Sequence, residues 1–443
     1  MMVEEFERTR SASPSFVPRG SNQTKAIARH AMVLCVFLFA FGFPGTLVNL
    51  FGGDRVNMLL QYILFALQII FMLLTSADRL MDIKIVDLKK EYTPIYLLTG
   101  VVLVTSMLVT HDYPSQIIAC LRYTVTALFA LWIINWYDVK HILTFTYWAQ
   151  SIIVLCTLMY MLLFPGDAYE TVNGVRCLRG IFTAKNTCGA ELAFGLTMQV
   201  ALLRTYWDEN QSPSLFFYLI MACQLMLLAL SRALGSIVSG GIPILYIILS
   251  RGFKGWLRRL PIGAFYILGS VGFLLFALNL LYLVAPVLES FGKDATLTGR
   301  IPMWEQHISN MLDSHTFTGF GYGLFWENEA AVAAYHAGFK QNSWANSMTT
   351  GAHNEIIELW LDTGLIGIAA YFFMIFSAFR RTDRMKESVY VFCVTIMMGA
   401  FIKGLTERVH STASYWTLYI FLSCGLALKN RAELSTSQFT IRS

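Results

Sequence analysis

The sequence predicts an all-α polytopic membrane protein, and three observations carry that prediction. Apolar residues make up 56% of the 443-residue chain and charged residues only 14%, where a soluble domain carries roughly 25% charge. Apolar runs near the roughly 20 residues needed to cross a bilayer recur from end to end. Lys and Arg fall mainly between those runs and mainly on one side of the membrane.

Residues 1–30 carry Arg8, Arg10, Arg19, Lys25 and Arg29 among Ser, Pro and Gly, the composition of a disordered cytoplasmic tail. The first apolar run begins near residue 31, is long enough to span, and is followed by no small-residue cleavage pattern, so it is expected to remain as the first helix. Spans are expected near 31–51, 57–76, 95–110, 116–136, 143–164, 189–206, 214–231, 234–250, 262–285, 356–379, 389–406 and 412–428, about twelve in all, leaving 429–443 as a second cytoplasmic tail. With the N-terminus inside, cytoplasmic segments hold 22 Lys and Arg and outer segments hold 9. The runs "RGFKGWLRR" and "RRTDRMK" anchor the cytoplasmic side. Both termini are therefore expected in the cytoplasm, and the formal charge of +5 comes from these topogenic loops. No basic run interleaved with aromatics points to nucleic acid.

Two outer segments stand out, 165–188 and 286–355, the second a long polar stretch before the tenth span. Within it, "TGRIPMWEQHISNML" places Pro302 in a first helical turn and Ile301, Trp304, Ile308 and Met311 at helical spacing, which predicts a short amphipathic helix. "TGFGYGLFW" follows, with glycines at 319, 321 and 323 and aromatics at Phe320, Tyr322, Phe325 and Trp326; these rings can stack on sugars or simply pack. Six of the eight cysteines lie in spans, whereas Cys177 and Cys188 fall in the outer 165–188 loop, where a disulfide and two free thiols are both open. No Cys/His spacing resembles a metal site.

The stretch "AHNEIIELWLDTGLIG", 352–367, opens an apolar helix with a histidine and puts Asn354, Glu355, Glu358 and Asp362 on one stripe about 100° wide. Arg179, Lys185, Arg232 and Arg300 are expected on the same membrane side as His353. One such arginine alone reads as an interfacial anchor. Together they make an electropositive surface suited to a lipid-held diphosphate, because the guanidinium fork donates paired hydrogen bonds to phosphate oxygens. A histidine there can take a proton from an attacking hydroxyl.

The spacing H-N, nine residues, G, two residues, G in "HNEIIELWLDTGLIG" resembles the signature of the O-antigen ligase and polymerase superfamily. "RGIFTAKNTCG", "SRALG", "TGRIPMW" and "GFGYGLFW" resemble its exopolysaccharide-production polymerase branch, in order, over about 140–425. The resemblance implies a GT-C-like glycosyltransferase of the bacterial inner membrane, acting on polyprenyl-diphosphate-linked sugars at the periplasmic face without metal, nucleotide sugar or other cofactor. By the same resemblance His353 is the base, and Arg232 and Arg300 contact the diphosphate. Arg179, Lys185 and Asn186 match a recurrent motif, and Glu407 in "GLTERVH" matches an acidic position in the last outer loop. Asn354 and Glu358 join the expected substrate-contacting set. Ala184 departs from the branch, where histidine is frequent, and Cys188 is also unusual. The implied partners are the lipid-linked oligosaccharide donor, a sugar acceptor, membrane lipid, and flippase and chain-length regulator proteins.

Alternatives stay open at this point. Glu358 and Asp362 can serve only to hold neighbouring elements by hydrogen bonds, and His307 and His315 read as packing histidines. A polymerase extends another lipid-linked unit, whereas a ligase transfers to lipid A core; both need the same donor site. A transporter is the rival from another class, but the chain lacks the internal repeat that transporters tend to show.

Overall fold

A computed structural model describes residues 21–41, 63, 65–70, 72, 73, 90–109, 113–172, 174–250, 262–290, 300–327, 332, 351–380, 382, 385–410 and 414–440. About half of the span expected at 57–76, residues 42–51 of the first, the tail 1–20, the basic stretch 251–261 and most of 328–350 lie outside the described residues.

The described helices are α1 (Ser21–Ala40), α2 (Thr93–Val109), α3 (Tyr113–Trp136), α4 (Val139–Leu163), α5 (Lys185–Asp208), α6 (Leu215–Ser231), α7 (Leu234–Leu249), α8 (Ile262–Ser290), α9 (Arg300–Asn310), α10 (Glu355–Phe379), α11 (Glu387–Gly404) and α12 (Tyr415–Thr440). Their starts follow local chemistry. Asp138 caps α4 by accepting from His141 N, Ser214 caps α6 by accepting from Phe217 N, and Asn354 caps α10 by accepting from Ile356 N and Ile357 N.

Among the described residues, Lys90–Val109, Gln116–Trp136, Val139–Leu163, Ile262–Asn279, Glu355–Phe379 and Glu387–Gly404 are long and apolar enough to cross a membrane, and Ala26–Leu38, Leu215–Ser231 and Leu234–Leu249 are shorter apolar helices. Leu162, Leu215, Leu234 and Leu268 point outward from these helices and are exposed; an apolar exterior of this kind belongs in lipid. The chain is a multi-pass, predominantly helical membrane protein.

Three expectations need amendment. The 165–188 segment, expected as an outer loop, carries a small sheet: β1 (Tyr169–Val172) and β2 (Val175–Leu178) form an antiparallel hairpin in which Val172 faces Val175. The two residues between them read Asn-Gly, the strongest short hairpin signal, and Gly174 takes φ +75°. α1 starts at Ser21, inside the expected disordered tail, and α12 runs to Thr440, past the expected end of the last span.

α5 lies at the centre, packed on α4, α6 and α7; α7 packs on α11, α12 on α3 and α11, and α10 on α2 and α8. Phe194 of α5 meets Tyr415, Trp416 and Tyr419 of α12 edge-on at 4.8–4.9 Å between ring centroids.

Gly364 breaks α10. It adopts φ +67°, ψ −171° within the helix, and a Cβ there would lie 2.1 Å from the Phe317 carbonyl carbon. The ladder is repaired by the 316–320 turn: Leu365 N donates to Thr316 O at 3.0 Å, Ile366 N to Phe317 O at 3.3 Å, and Phe320 N to Leu361 O at 2.7 Å. Leu361 O is the acceptor that Leu365 N abandons at the break. Gly319, at φ +69°, makes the close approach from the other side. The break falls roughly 14 Å from the start of α10 at 1.5 Å per residue, a depth at which non-helical backbone persists only when protein satisfies it.

Candidate active site

The site is built where the start of α10 meets the connection between α11 and α12. Asn354 turns the chain into α10, and His353 before it holds a left-handed backbone, φ +50°. This aims the imidazole across to Glu407: His353 Nδ1 lies 2.9 Å from Glu407 Oε2. Arg300, the first residue of α9, donates from Nη2 to the other oxygen, Oε1, at 3.1 Å. A carboxylate only accepts, so Nδ1 donates to it, and whenever the ring is neutral Nε2 is the nitrogen left to accept. The three side chains are 22% (His353), 23% (Arg300) and 35% (Glu407) exposed, so they are reachable but sheltered. Burial works to raise the Glu407 carboxyl, but the His353 hydrogen bond and charge, with Arg300 and Lys403, outweigh it and hold the group below the usual carboxylate value.

Further contacts zip 353–358 onto 405–410. Asn354 Nδ2 donates to Leu405 O at 3.2 Å. Glu355 accepts from Val409 N at 2.5 Å and from His410 N at 2.9 Å. Glu358 accepts from Ala352 N at 2.6 Å and Trp326 Nε1 at 3.1 Å, and pairs with Arg408 at 3.5 Å. Asp362 accepts from Gly323 N at 2.9 Å. All three carboxylates are buried, at 2%, 1% and 2% exposure, so the acidic stripe of α10 binds the backbone of three irregular segments.

The other expected residues gather at a second cluster. Arg232, the left-handed C-cap of α6 at φ +51°, is exposed, and its guanidinium has no hydrogen-bond or ion-pair partner among the described residues. Its turn packs on the start of α5, where a Cβ on Gly189 would lie 2.4 Å from the Ala233 Cβ. Asn186 is exposed in that first turn. Lys185 N donates to Glu170 Oε1 of the hairpin at 3.2 Å, and Lys185 Nζ lies 3.7 Å from Cys177 Sγ. Arg179 Nε donates to Asp167 O at 2.6 Å. Cys177 and Cys188 are both free thiols, so the bridged alternative is not the one found. α7 runs beside α11, with the would-be Cβ of Gly399 3.8 Å from Ser239 O, which puts the Arg232 corner at the same end of the bundle as Glu407.

Sequence reasoning assigned no role to Glu191 or Lys403. Lys403 lies in the last turn of α11, four residues before Glu407, and interacts electrostatically with both Glu407 and Glu191, the latter a buried residue of α5 one turn beyond Lys185–Cys188. The signal was present in each case: a charge inside an apolar run. His307 is buried, its imidazole pushed down to about 3 by that burial, and packs edge-on against Phe325 and Trp326. His315 stacks on Phe320 at 4.0 Å.

Residues 217–372, a stretch that includes the His-Asn start of α10, match the family described as O-Antigen ligase. Among characterised proteins, the chain is similar to the exopolysaccharide production protein ExoQ of Rhizobium meliloti (strain 1021). The two are 26% identical over 271 residues, which cover 56% of this chain and 58% of that protein.

Proposed function

We propose that the protein is a membrane glycosyltransferase that polymerises polyprenyl-diphosphate-linked oligosaccharide units into exopolysaccharide at the periplasmic face of the bacterial inner membrane, within a GT-C-like bundle of about twelve spans. The observation that carries this reading is the Arg300–Glu407–His353 bridge. Glu407 fixes the imidazole so that Nε2 faces the acceptor, and stabilises the imidazolium that forms. Nε2 takes the proton of an acceptor sugar hydroxyl as its oxygen attacks the anomeric carbon. The bond from that carbon to the diphosphate oxygen breaks, the polyprenyl diphosphate leaves, and attack from the opposite face inverts the centre. Arg300 spends one Nη2–H on Glu407 and turns its remaining donors to the diphosphate, with Arg232 as the second contact, offsetting charge as the glycosyl bond breaks. Arg179, Lys185 and Asn186 line the approach beside Arg232, and Lys403 adds positive charge between the two clusters. Asn354 and Glu358 act on substrate through the shape they give this corner. The donor is already activated as a diphosphate ester, so the reaction as drawn draws on no nucleotide sugar.

A ligase acting on lipid A core is the second reading, favoured by the description of the matched family; similarity to an exopolysaccharide production protein favours the first. The test is product analysis with purified protein in detergent, given lipid-diphosphate-linked repeat units alone. A ladder of lengthening products, lost in His353→Ala and Arg300→Ala, is the expected result. Donor left intact with every acceptor, while the lipid-linked sugar crosses liposome bilayers, would replace this reading with transport.

A further inference from the structure

We propose that Glu355 is a positioning residue for this reaction: by clamping the backbone two and three residues after Glu407, it sets the hydrogen bond between Glu407 and His353. The inference rests on the reading of His353 as the base.

Glu355 sits two residues after His353 and has no route to substrate, being 2% exposed. Both of its oxygens are engaged. Oε2 accepts from Val409 N at 2.5 Å and from His410 N at 3.0 Å, and Oε1 accepts from His410 N at 2.9 Å. Neither N–H belongs to a helix, so without Glu355 both would be buried donors lacking an acceptor, a costly arrangement that the 405–410 connection would relieve by moving. Glu407 would move with it. The would-be Cβ of Gly404 lies 3.1 Å from the Glu355 Cβ, so the end of α11 is seated directly on this side chain. The clamp therefore ties the segment that carries the base to the segment that carries its partner, and Asn354 Nδ2 on Leu405 O closes the other flank at 3.2 Å. His353 faces Glu407 and, beyond it, Arg300 and Lys403; Glu355 faces Glu358 and Arg408 as well as the His410 backbone.

The test compares full-length wild type with Glu355→Gln, which keeps one acceptor oxygen, and Glu355→Asp, which keeps the carboxyl group but shortens the reach, in the lipid-linked donor assay across pH. Each variant is expected to lose kcat by roughly 10–100-fold, the range for loss of an orienting partner or a displacement near 1 Å, with donor KM unchanged. The acidic limb of the pH–rate profile should move to lower pH, because the imidazolium formed in the reaction loses part of its counter-charge. Wild-type kcat in either folded variant, or a fall in kcat with the acidic limb unmoved, overturns the positioning role while leaving the base assignment intact. An inert wild type overturns the functional reading, and this inference with it.

Discussion

Nδ1 of His353 lies 2.9 Å from Oε2 of Glu407, joining the start of one membrane helix to the end of another across 54 residues of sequence. Because Glu407 is held below the usual carboxylate value, its contribution to stability is complete above that value, about 4.3, and is lost as pH falls through the lower folded value. Glu407→Gln should therefore melt below wild type at pH 7, and the gap should close below about pH 4. Thermal melts in detergent over pH 3–8 check this; a gap that is constant with pH would remove the charge from the explanation.

Arg232 and His353 are two of the three non-glycine residues at positive φ among the described residues; the third, Asn210, is of a type that tolerates it. An arginine held there costs on the order of 1 kcal/mol or more. Arg232→Gly should raise the melting temperature and lose most polymer formation, separating strain from function. A melting temperature that falls would show that the guanidinium is needed to hold the corner.

Gly364→Ala forces a methyl against Phe317 and a side chain onto a left-handed backbone. The cost should be about 3 kcal/mol. Melting temperature and yield of the purified variant measure it, and a neutral result would mean that α10 is not broken by the 316–320 turn.

His307 is buried with its imidazole pushed down to about 3, so between that value and the ordinary 6.5 the unfolded chain binds the extra proton. Stability must then fall as pH drops through this window. His307→Phe, which suits the pocket formed by Phe325 and Trp326, should flatten part of that decline and keep polymer formation. An unchanged decline would count against a neutral buried histidine.

Much of this was legible in the sequence because its cause is local. Apolar runs announced the helices, and Ile301, Trp304 and Met311 at helical spacing announced α9; the first two are buried within it and Met311 is buried just past its end. The capping side chain of Asn354 could likewise be anticipated from its place before an apolar run. Other features were not legible, for physical reasons. Gly364 sits in an unbroken apolar pattern, so nothing local separates a packing glycine from a breaking one; its partner is a turn some 45 residues upstream. The acidic stripe was visible, but its acceptors were not, since the Val409, Ala352 and Gly323 N–H groups are set by tertiary structure. The hairpin was legible and missed, because Asn-Gly lay in a segment read only as a loop.

The central claim is that His353 and Glu407 act as one unit. A double-mutant cycle on donor turnover tests it most directly, using His353→Ala, Glu407→Gln and the pair together. The account predicts that the double variant is no slower than His353→Ala alone, since Glu407 works through the imidazole. Losses that multiply would contradict it and assign the two residues separate tasks.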